Sequence, residues 1–325
     1  MILALALACT SASPPKSPTP VIKPPKAHPA SELAPAPAPV VSTAGSLAVD
    51  PASVVPDADP HLSTAFVFLG DTGKGTDGQK HTADAVKAWC KERRCDFVAY
   101  LGDNLYPKGA QSADDPIFQE KFEKYWEGFD VPFMVALGNH DHYGVAQAEI
   151  EYAKKSKKWR MPAAWYTFTQ GVADFYVVDS GGEEEGVVPS DQVEWLKGEV
   201  KKSSAPWKIA YGHHPIHSSG LHGDGPAMVR DFEPLLTELG VQFWLCGHDH
   251  DLEVLDDGKP PVEIVSGGGG DVRKVNPAQP TTKYLASSNG FGYLVLNPVN
   301  ATLAMVAVDE AGASKVAYTQ RWAKP

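Results

Sequence analysis

Five apolar runs in this chain end in glycine, and each time the next residue is Asp, Asn or His. Residues 65–69 lead into Gly70-Asp71, 97–101 into Gly102-Asp103 and 133–137 into Gly138-Asn139. Residues 208–211 lead into Gly212-His213, and 242–246 into Gly247-His248. Each run is short and rich in Phe, Val, Tyr or Ile, the pattern of a strand buried on both faces. Glycine lets the chain turn sharply at the strand end. In open α/β sheets, sites form outside the carboxyl ends of the strands. Five strands that each deliver a ligand-type residue to that edge constrain the chain to an α/β fold around a metal centre.

The rest of the pattern is strand–loop–helix from about residue 62. Residues 80–91 have helical spacing with Val86 and Trp89 on one face. Segments 115–129, 145–158 and 226–239 read as helices, and 190–201 as a helix capped at its Ser-Asp-Gln-Val start. Residues 174–178 read as a further buried strand, and 262–266, 292–296, 301–308 and 315–321 as short strands. The glycine run 267–270 is either a tight turn beside the site or a plain loop. Together these predict one catalytic domain over 61–325, with helices packed on two sheets.

The 325 residues are enough for a substantial core. A net charge of −11 argues against nucleic acid, which needs a basic face. It also means that an anionic substrate must be attracted by a local cationic site. Residues 1–8 are apolar and run into Cys9, which reads as an export signal (1–9) with a lipid-attachment cysteine. The signal departs from the usual form, because no basic residue precedes it and Ala6 stands where the lipoprotein box has Leu. Residues 10–60 hold 13 of the 28 prolines and read as an extended, disordered tether. The expected location is extracytoplasmic: secreted, periplasmic or lipid-anchored to the cell envelope, with a membrane tether through lipidated Cys9. Export would permit a disulfide between Cys90 and Cys95, whose spacing equally suits two reduced thiols. Cys246 reads as a core residue.

The candidate ligands are Asp71, Asp103, Tyr106, Asn139, His213, His248 and His250. A lone Asp after a strand is more often a turn former, and a lone His more often a satisfied polar residue. Seven such residues recurring at strand ends point to coordination. His248 and His250 are spaced i, i+2, so both can face one centre from a loop.

The order of these motifs resembles the calcineurin-like metallophosphoesterase superfamily, whose members share a four-layer α-β-β-α sandwich. The first motif there is usually Asp-x-His, whereas this chain has Asp71-Thr72-Gly73. The second, Gly102-Asp103-Asn104-Leu105-Tyr106, carries a tyrosine most members lack. That exchange is similar to the purple acid phosphatases, and Gly138-Asn139-His140-Asp141-His142, Gly212-His213-His214-Pro215 and Gly247-His248-Asp249-His250 resemble their small animal-type, tartrate-resistant branch. The resemblance implies that Asp71, Tyr106 and His250 hold one metal, that Asn139, His213 and His248 hold the other, and that Asp103 bridges them. Anionic oxygen donors suit a trivalent ion, and imidazoles with an amide oxygen suit a divalent one. The implied cofactor is therefore Fe(III) beside Fe(II), Zn(II) or Mn(II).

The implied reaction is hydrolysis of small phosphomonoesters by attack of a metal-bound hydroxide, with activity at acidic pH. His140 matches a family histidine that touches phosphate, with Asp141 as its orienter. His222, nine residues after His213, is the candidate for binding phosphate or protonating the leaving alcohol. His142, His214 and His217 have no implied role. Rival readings are a phosphodiesterase of the same superfamily, a non-catalytic phosphate- or iron-binding member, and redox chemistry at the iron pair. The stretch Gly73-Lys-Gly75-Thr-Asp-Gly78 matches a dinucleotide fingerprint. No acidic residue closes a second strand at the required distance, so a nucleotide cofactor is not expected. The branch's long loop, cut on activation, is replaced here by the short 180–189 with its three Glu residues.

Overall fold

A computed structural model describes residues 40–41, 49–56, 59–182 and 184–324. The candidate export signal, its Cys9 and most of the proline-rich segment lie outside the described residues. The strands are β1 (Val40–Val41), β2 (Thr64–Leu69), β3 (Phe97–Leu101), β4 (Phe133–Ala136), β5 (Trp159–Arg160), β6 (Tyr166–Gln170), β7 (Ala173–Val177), β8 (Trp207–Tyr211), β9 (Phe243–Cys246), β10 (Leu252–Leu255), β11 (Val262–Ser266), β12 (Thr282–Ala286), β13 (Asn289–Leu296), β14 (Asn300–Val308) and β15 (Ser314–Ala323). The α-helices are α1 (Asp77–Glu92), α2 (Asn139–His142), α3 (Ala146–Tyr152), α4 (Ser190–Lys202) and α5 (Glu233–Leu239).

One sheet has the order β15-β14-β13-β2-β3-β4-β5, the other β1-β12-β10-β11-β9-β8-β7-β6. In each, a parallel set carries the glycine junctions: β2, β3 and β4 in the first, β8 and β9 in the second. The parallel sets are extended by antiparallel strands, so these are mixed sheets of a two-sheet α/β fold. Because strands within a parallel set point the same way, their junctions lie along one edge. The two edges are stitched together where Ser266 of β11 donates its hydroxyl to Phe68 O at 3.1 Å and accepts the Gly70 N–H at its backbone oxygen at 2.8 Å.

Between the sheets lies an aromatic weave. Phe66 and Phe97 of one sheet stack at 4.8 Å, and Phe175 of the other meets their edges at 5.2 and 5.0 Å. Phe168 stacks on Phe175 at 4.8 Å. On the outer face of the first sheet, Trp89 of α1 packs edge-on against Phe291 and Tyr293. On the second, Leu196 and Val200 of α4 and Leu236 of α5 share a core with Trp244. The order is therefore helix, sheet, sheet, helix. Helix α1 starts at Thr76, whose side chain accepts the Gln79 N–H at 3.1 Å. Cys90 in its last turn is joined by a disulfide to Cys95, just past its end.

Several local expectations differ. Over 115–129 only a short helical segment forms, with a π-helical stretch at Gln119–Glu123. There the Lys121 carbonyl is drawn out to the Gln79 side-chain amide at 2.6 Å. Helix α3 stops at Tyr152 because Ser156 and Lys158 turn to Glu123, both at 2.7 Å, and lead into β5. Pro189, not Ser190, caps α4, and no side chain takes the cap bond. Part of the segment 10–60 lies on the domain instead of extending away: β1 pairs with β12, Val49 exchanges bonds with Thr319 Oγ1, and Val54 is buried. The glycine run is a close approach at the site, since a Cβ on Gly267 would lie 2.0 Å from Asp249 O and 2.8 Å from Asp71 Oδ2.

Phe66→Ala removes the ring at the centre of the inter-sheet weave. Its expected cost is about 3–5 kcal/mol, read as a lowered midpoint in chemical denaturation.

Candidate metal centre

Three of the seven candidate ligands are held in the left-handed backbone region: Asp71 at φ 59°, Asp103 at φ 52° and His248 at φ 68°. Non-glycine residues there are uncommon and cluster at functional sites, where the surrounding structure over-determines them. Each follows a strand-end glycine: Gly70, Gly102 and Gly247. The structure brings all seven candidates to the meeting edge of the two sheets, in two groups.

In the first group the Tyr106 hydroxyl lies 2.9 Å from Asp71 Oδ1, 2.7 Å from Asp103 Oδ2 and 3.2 Å from His250 Nε2. His250 Nδ1 bonds the Asp271 carboxylate, which only accepts, so Nε2 turns a lone pair inward. Three acceptors thus face one O–H. In the second group His213 Nε2 lies 3.1 Å from Asn139 Oδ1, 3.3 Å from His248 Nδ1 and 3.4 Å from Asp103 Oδ1. His213 Nδ1 donates to Leu101 O at 2.9 Å, which fixes Nε2 as the nitrogen that faces the group. Asn139 donates its amide nitrogen to the Tyr143 hydroxyl at 3.1 Å, so its oxygen points in. Asp103 gives one oxygen to each group. Its backbone conformation is thus the one that lets a single carboxylate be shared.

Convergent acceptors with too few protons fit cations. Without them the arrangement is electrostatically frustrated. Burial, then the charges of Asp103 and Asp71, push the Tyr106 hydroxyl well above its ordinary range. A tyrosinate forms there only if a cation replaces the proton. Burial opposes charge on His213, yet Asp103 and Asp71 push its imidazole up to about 10.

The other expected residues fall close by. The His140 N–H donates to Asp103 Oδ1 at 2.8 Å, its ring lies 4.2 Å from that of Tyr106, and its Nδ1 donates to Pro107 O at 2.7 Å. The His222 ring lies 4.2 Å from that of His248. Asp141, expected to orient His140, is placed differently. Its carboxylate accepts the backbone N–H groups of Gly138, Asn104 and Leu105 at 2.9, 2.9 and 3.1 Å, while Pro107 O orients the His140 ring. The loop needed those donors satisfied more than the ring needed a second acceptor. His142 bonds Asp179 at 2.9 Å, His214 bonds Ser180 Oγ at 3.0 Å, and His217 lies 3.3 Å from Glu233.

Sequence reasoning missed Asp271 and Arg273, although both directly follow the glycine run beside a ligand motif. Arg273 Nη1 donates to His222 Nε2 at 2.7 Å. It also missed three buried carboxylates that grip the loop between His213 and His222. Glu263 accepts the N–H groups of Ile216 and His217 at 2.6 and 2.9 Å, Glu253 that of Ser219 at 2.8 Å, and Asp249 that of His222 at 2.9 Å. The dinucleotide-like glycines have another use. A Cβ on Gly73 would lie 1.9 Å from Asn104 O, and Gly73 O accepts the Tyr106 N–H at 3.1 Å.

Residues 64–252 match the calcineurin-like phosphoesterase family. The tartrate-resistant acid phosphatase type 5 of Rattus norvegicus is 33% identical over 241 residues, covering 65% of this chain and 73% of the relative. Purple acid phosphatase 4 of Arabidopsis thaliana is 28% identical over 255 residues, covering 71% and 75%. Among solved structures, GAP50, described as the anchor in the inner membrane complex of Plasmodium, superposes with a TM-score of 0.72 at 25% identity, covering 81% of this chain and 90% of its own.

Burial pushes the Glu263 carboxyl up to about 8 despite its backbone donors. A carboxyl raised on folding contributes stability that is complete below its unfolded value and is lost as pH rises through the folded one. The thermal midpoint should therefore decline between pH 4.5 and 8, and Glu263→Gln should flatten that decline. Parallel profiles for the two proteins would show that folding does not shift the Glu263 carboxyl.

Proposed function

The chain belongs to the calcineurin-like phosphoesterase family, among its tartrate-resistant and purple acid phosphatases, and from that premise we propose that it hydrolyses phosphomonoesters at acidic pH. It is a hydrolase of a binuclear-metal phosphoesterase family. The observation that carries the finer reading is the Tyr106 hydroxyl within 3.2 Å of Asp71, Asp103 and His250, where the superfamily pattern has a histidine instead. We assign Asp71, Tyr106 and His250 to Fe(III), Asn139, His213 and His248 to Fe(II), Zn(II) or Mn(II), and Asp103 to both. Such ions supply Lewis acidity toward a phosphoryl oxygen and an acidified water.

The protein's own residues then have separable tasks. His140 donates from Nδ1 to Pro107 O, so its neutral ring has only a lone pair at Nε2. His222 faces the leaving oxygen, and its N–H on Asp249 fixes the loop that carries it. The same fold in a protein described as an anchor means that fold alone does not establish turnover. The complete ligand set is what favours catalysis here.

The purified protein should contain two metal ions and a visible absorption band, and should hydrolyse p-nitrophenyl phosphate. Tyr106→Phe should abolish the band. A colourless, fully active protein with two zinc ions would overturn the iron–tyrosinate assignment and leave a metallophosphoesterase. Asp103→Asn is expected to lower kcat by at least about 100-fold, the scale of losing a charge-bearing group in a metal-assisted step. We also propose export with lipid attachment at Cys9. Metabolic labelling with a fatty acid should mark the wild type and not Cys9→Ser; equal labelling would refute it.

A further inference from the structure

Neither the ligand set nor the loop framework accounts for Arg273. Its backbone is fixed: the N–H donates to His250 O at 3.0 Å, and the carbonyl accepts the Ser287 hydroxyl at 2.7 Å. Its side chain therefore projects from a rigid point beside the metal ligands. There Nη1 lies 2.7 Å from His222 Nε2. A guanidinium only donates, so His222 Nε2 must present its lone pair.

What the guanidinium lacks is an anion. Among the described residues no carboxylate pairs with it. The acid two residues before it, Asp271, is already taken by His250 Nδ1 and by Lys74 Nζ at 3.4 Å. Glu185, another acid near the site, accepts the Tyr143 hydroxyl at 2.6 Å, and Tyr143 lies against His140, not His222. Asp271 lies within its field, yet a partly buried arginine that bonds no carboxylate, in a chain of net charge −11, marks a place for an anionic ligand. Its donor fork matches the paired oxygens of a carboxylate or phosphate.

Position decides which anion. The transferred phosphoryl group belongs at the two ligand clusters. On the phosphomonoesterase reading His222 attends the leaving oxygen, and Arg273 sits on its Nε2. Leu221, the neighbouring side chain, is 60% exposed and offers an apolar surface for carbon atoms. We propose that Arg273 binds a second anionic group on the alcohol part of the substrate. The preferred substrates would then be phosphomonoesters whose alcohol carries a carboxylate or another phosphate. Capture of that group draws the guanidinium from His222 Nε2 and leaves that nitrogen free beside the leaving oxygen. This rests on the phosphomonoesterase reading and narrows its substrate class.

Steady-state kinetics on matched pairs test it: glycerol 1-phosphate against 3-phosphoglycerate, and fructose 6-phosphate against fructose 1,6-bisphosphate. Wild type should favour the charged member of each pair in kcat/KM. Arg273→Gln should collapse that preference by about 10–100-fold, mainly through KM, as expected for loss of a charge-assisted bidentate contact. Arg273→Lys should recover part of it as a point charge. The carboxylate pair and the phosphate pair report separately which anion is taken. Inhibition by inorganic phosphate should weaken less in Arg273→Gln than the preference does. A preference that survives in Arg273→Gln overturns the proposal, and so does a wild type with no preference. A uniform loss across all substrates, with a matching loss of phosphate inhibition, would place Arg273 on the transferred group instead. If wild type hydrolyses p-nitrophenyl phosphate but neither pair, the proposal fails alone. If it hydrolyses no monoester, the underlying reading fails with it.

Discussion

The Tyr106 hydroxyl has one proton and three acceptors around it: Asp71, Asp103 and His250. One hydrogen cannot satisfy two buried carboxylates, and their charges drive the phenol away from ionisation. The protein alone has no low-energy answer to this arrangement; a cation does. Its backbone is also set up for that single contact. Gly73 leaves no side chain in the space that the Asn104 carbonyl occupies, and its own carbonyl holds the Tyr106 N–H. The missing histidine of the first junction and the added tyrosine of the second are therefore one structural event. A side chain at position 73 would expel the loop that delivers Tyr106.

Around this centre the ligand-bearing loops are held by carboxylates instead of strand partners. Asp141 collects the amides of the second and third junctions. Glu263, Glu253 and Asp249 collect those of the loop leading to His222. A loop at a sheet edge has backbone donors with no ladder to join, and burial makes each unpaired donor costly. An acidic side chain satisfies two at once. The cost reappears on the acids: burial, with Asp103 nearby, pushes Asp141 up to about 6, and burial pushes Glu253 up to about 7. The framework is precise in position and sensitive to pH for the same reason.

Much of this was legible because strand, glycine and ligand are local in sequence. The five junctions needed no knowledge of distant contacts, and parallel strands bring their carboxyl ends together by topology. What escaped was set by tertiary context. Strand β10 reads poorly as a strand because Glu253 interrupts its apolar run, yet Glu253 is buried to bond Ser219. Helix 115–129 was overestimated because one carbonyl, that of Lys121, has a partner 42 residues away. Asp141 sits in a motif that suggests a histidine orienter, whereas its actual partners are the Gly138 amide of its own junction and the Asn104 and Leu105 amides of the second. Arg273 was invisible as a functional residue because only the fold sets it against His222.

The two ligand groups are unequal, and that inequality links stability to loading. The first gathers two carboxylates and a phenol; the second is made of imidazoles and an amide, with one oxygen of Asp103 between them. Repulsion among buried anions destabilises the first group when empty, while the second is held by the bonds of His213 to Leu101 and Asn139 to Tyr143. An ion bound only to the folded state stabilises it by RT ln(1 + c/Kd), where c is the free ion concentration. The largest gain therefore comes from filling the anionic group first. Asp103 is already positioned as a donor to the second group, so the first ion orders a ligand of the next. The left-handed conformations of Asp71, Asp103 and His248 are strains that metal binding can repay, since all three belong to the proposed ligand set.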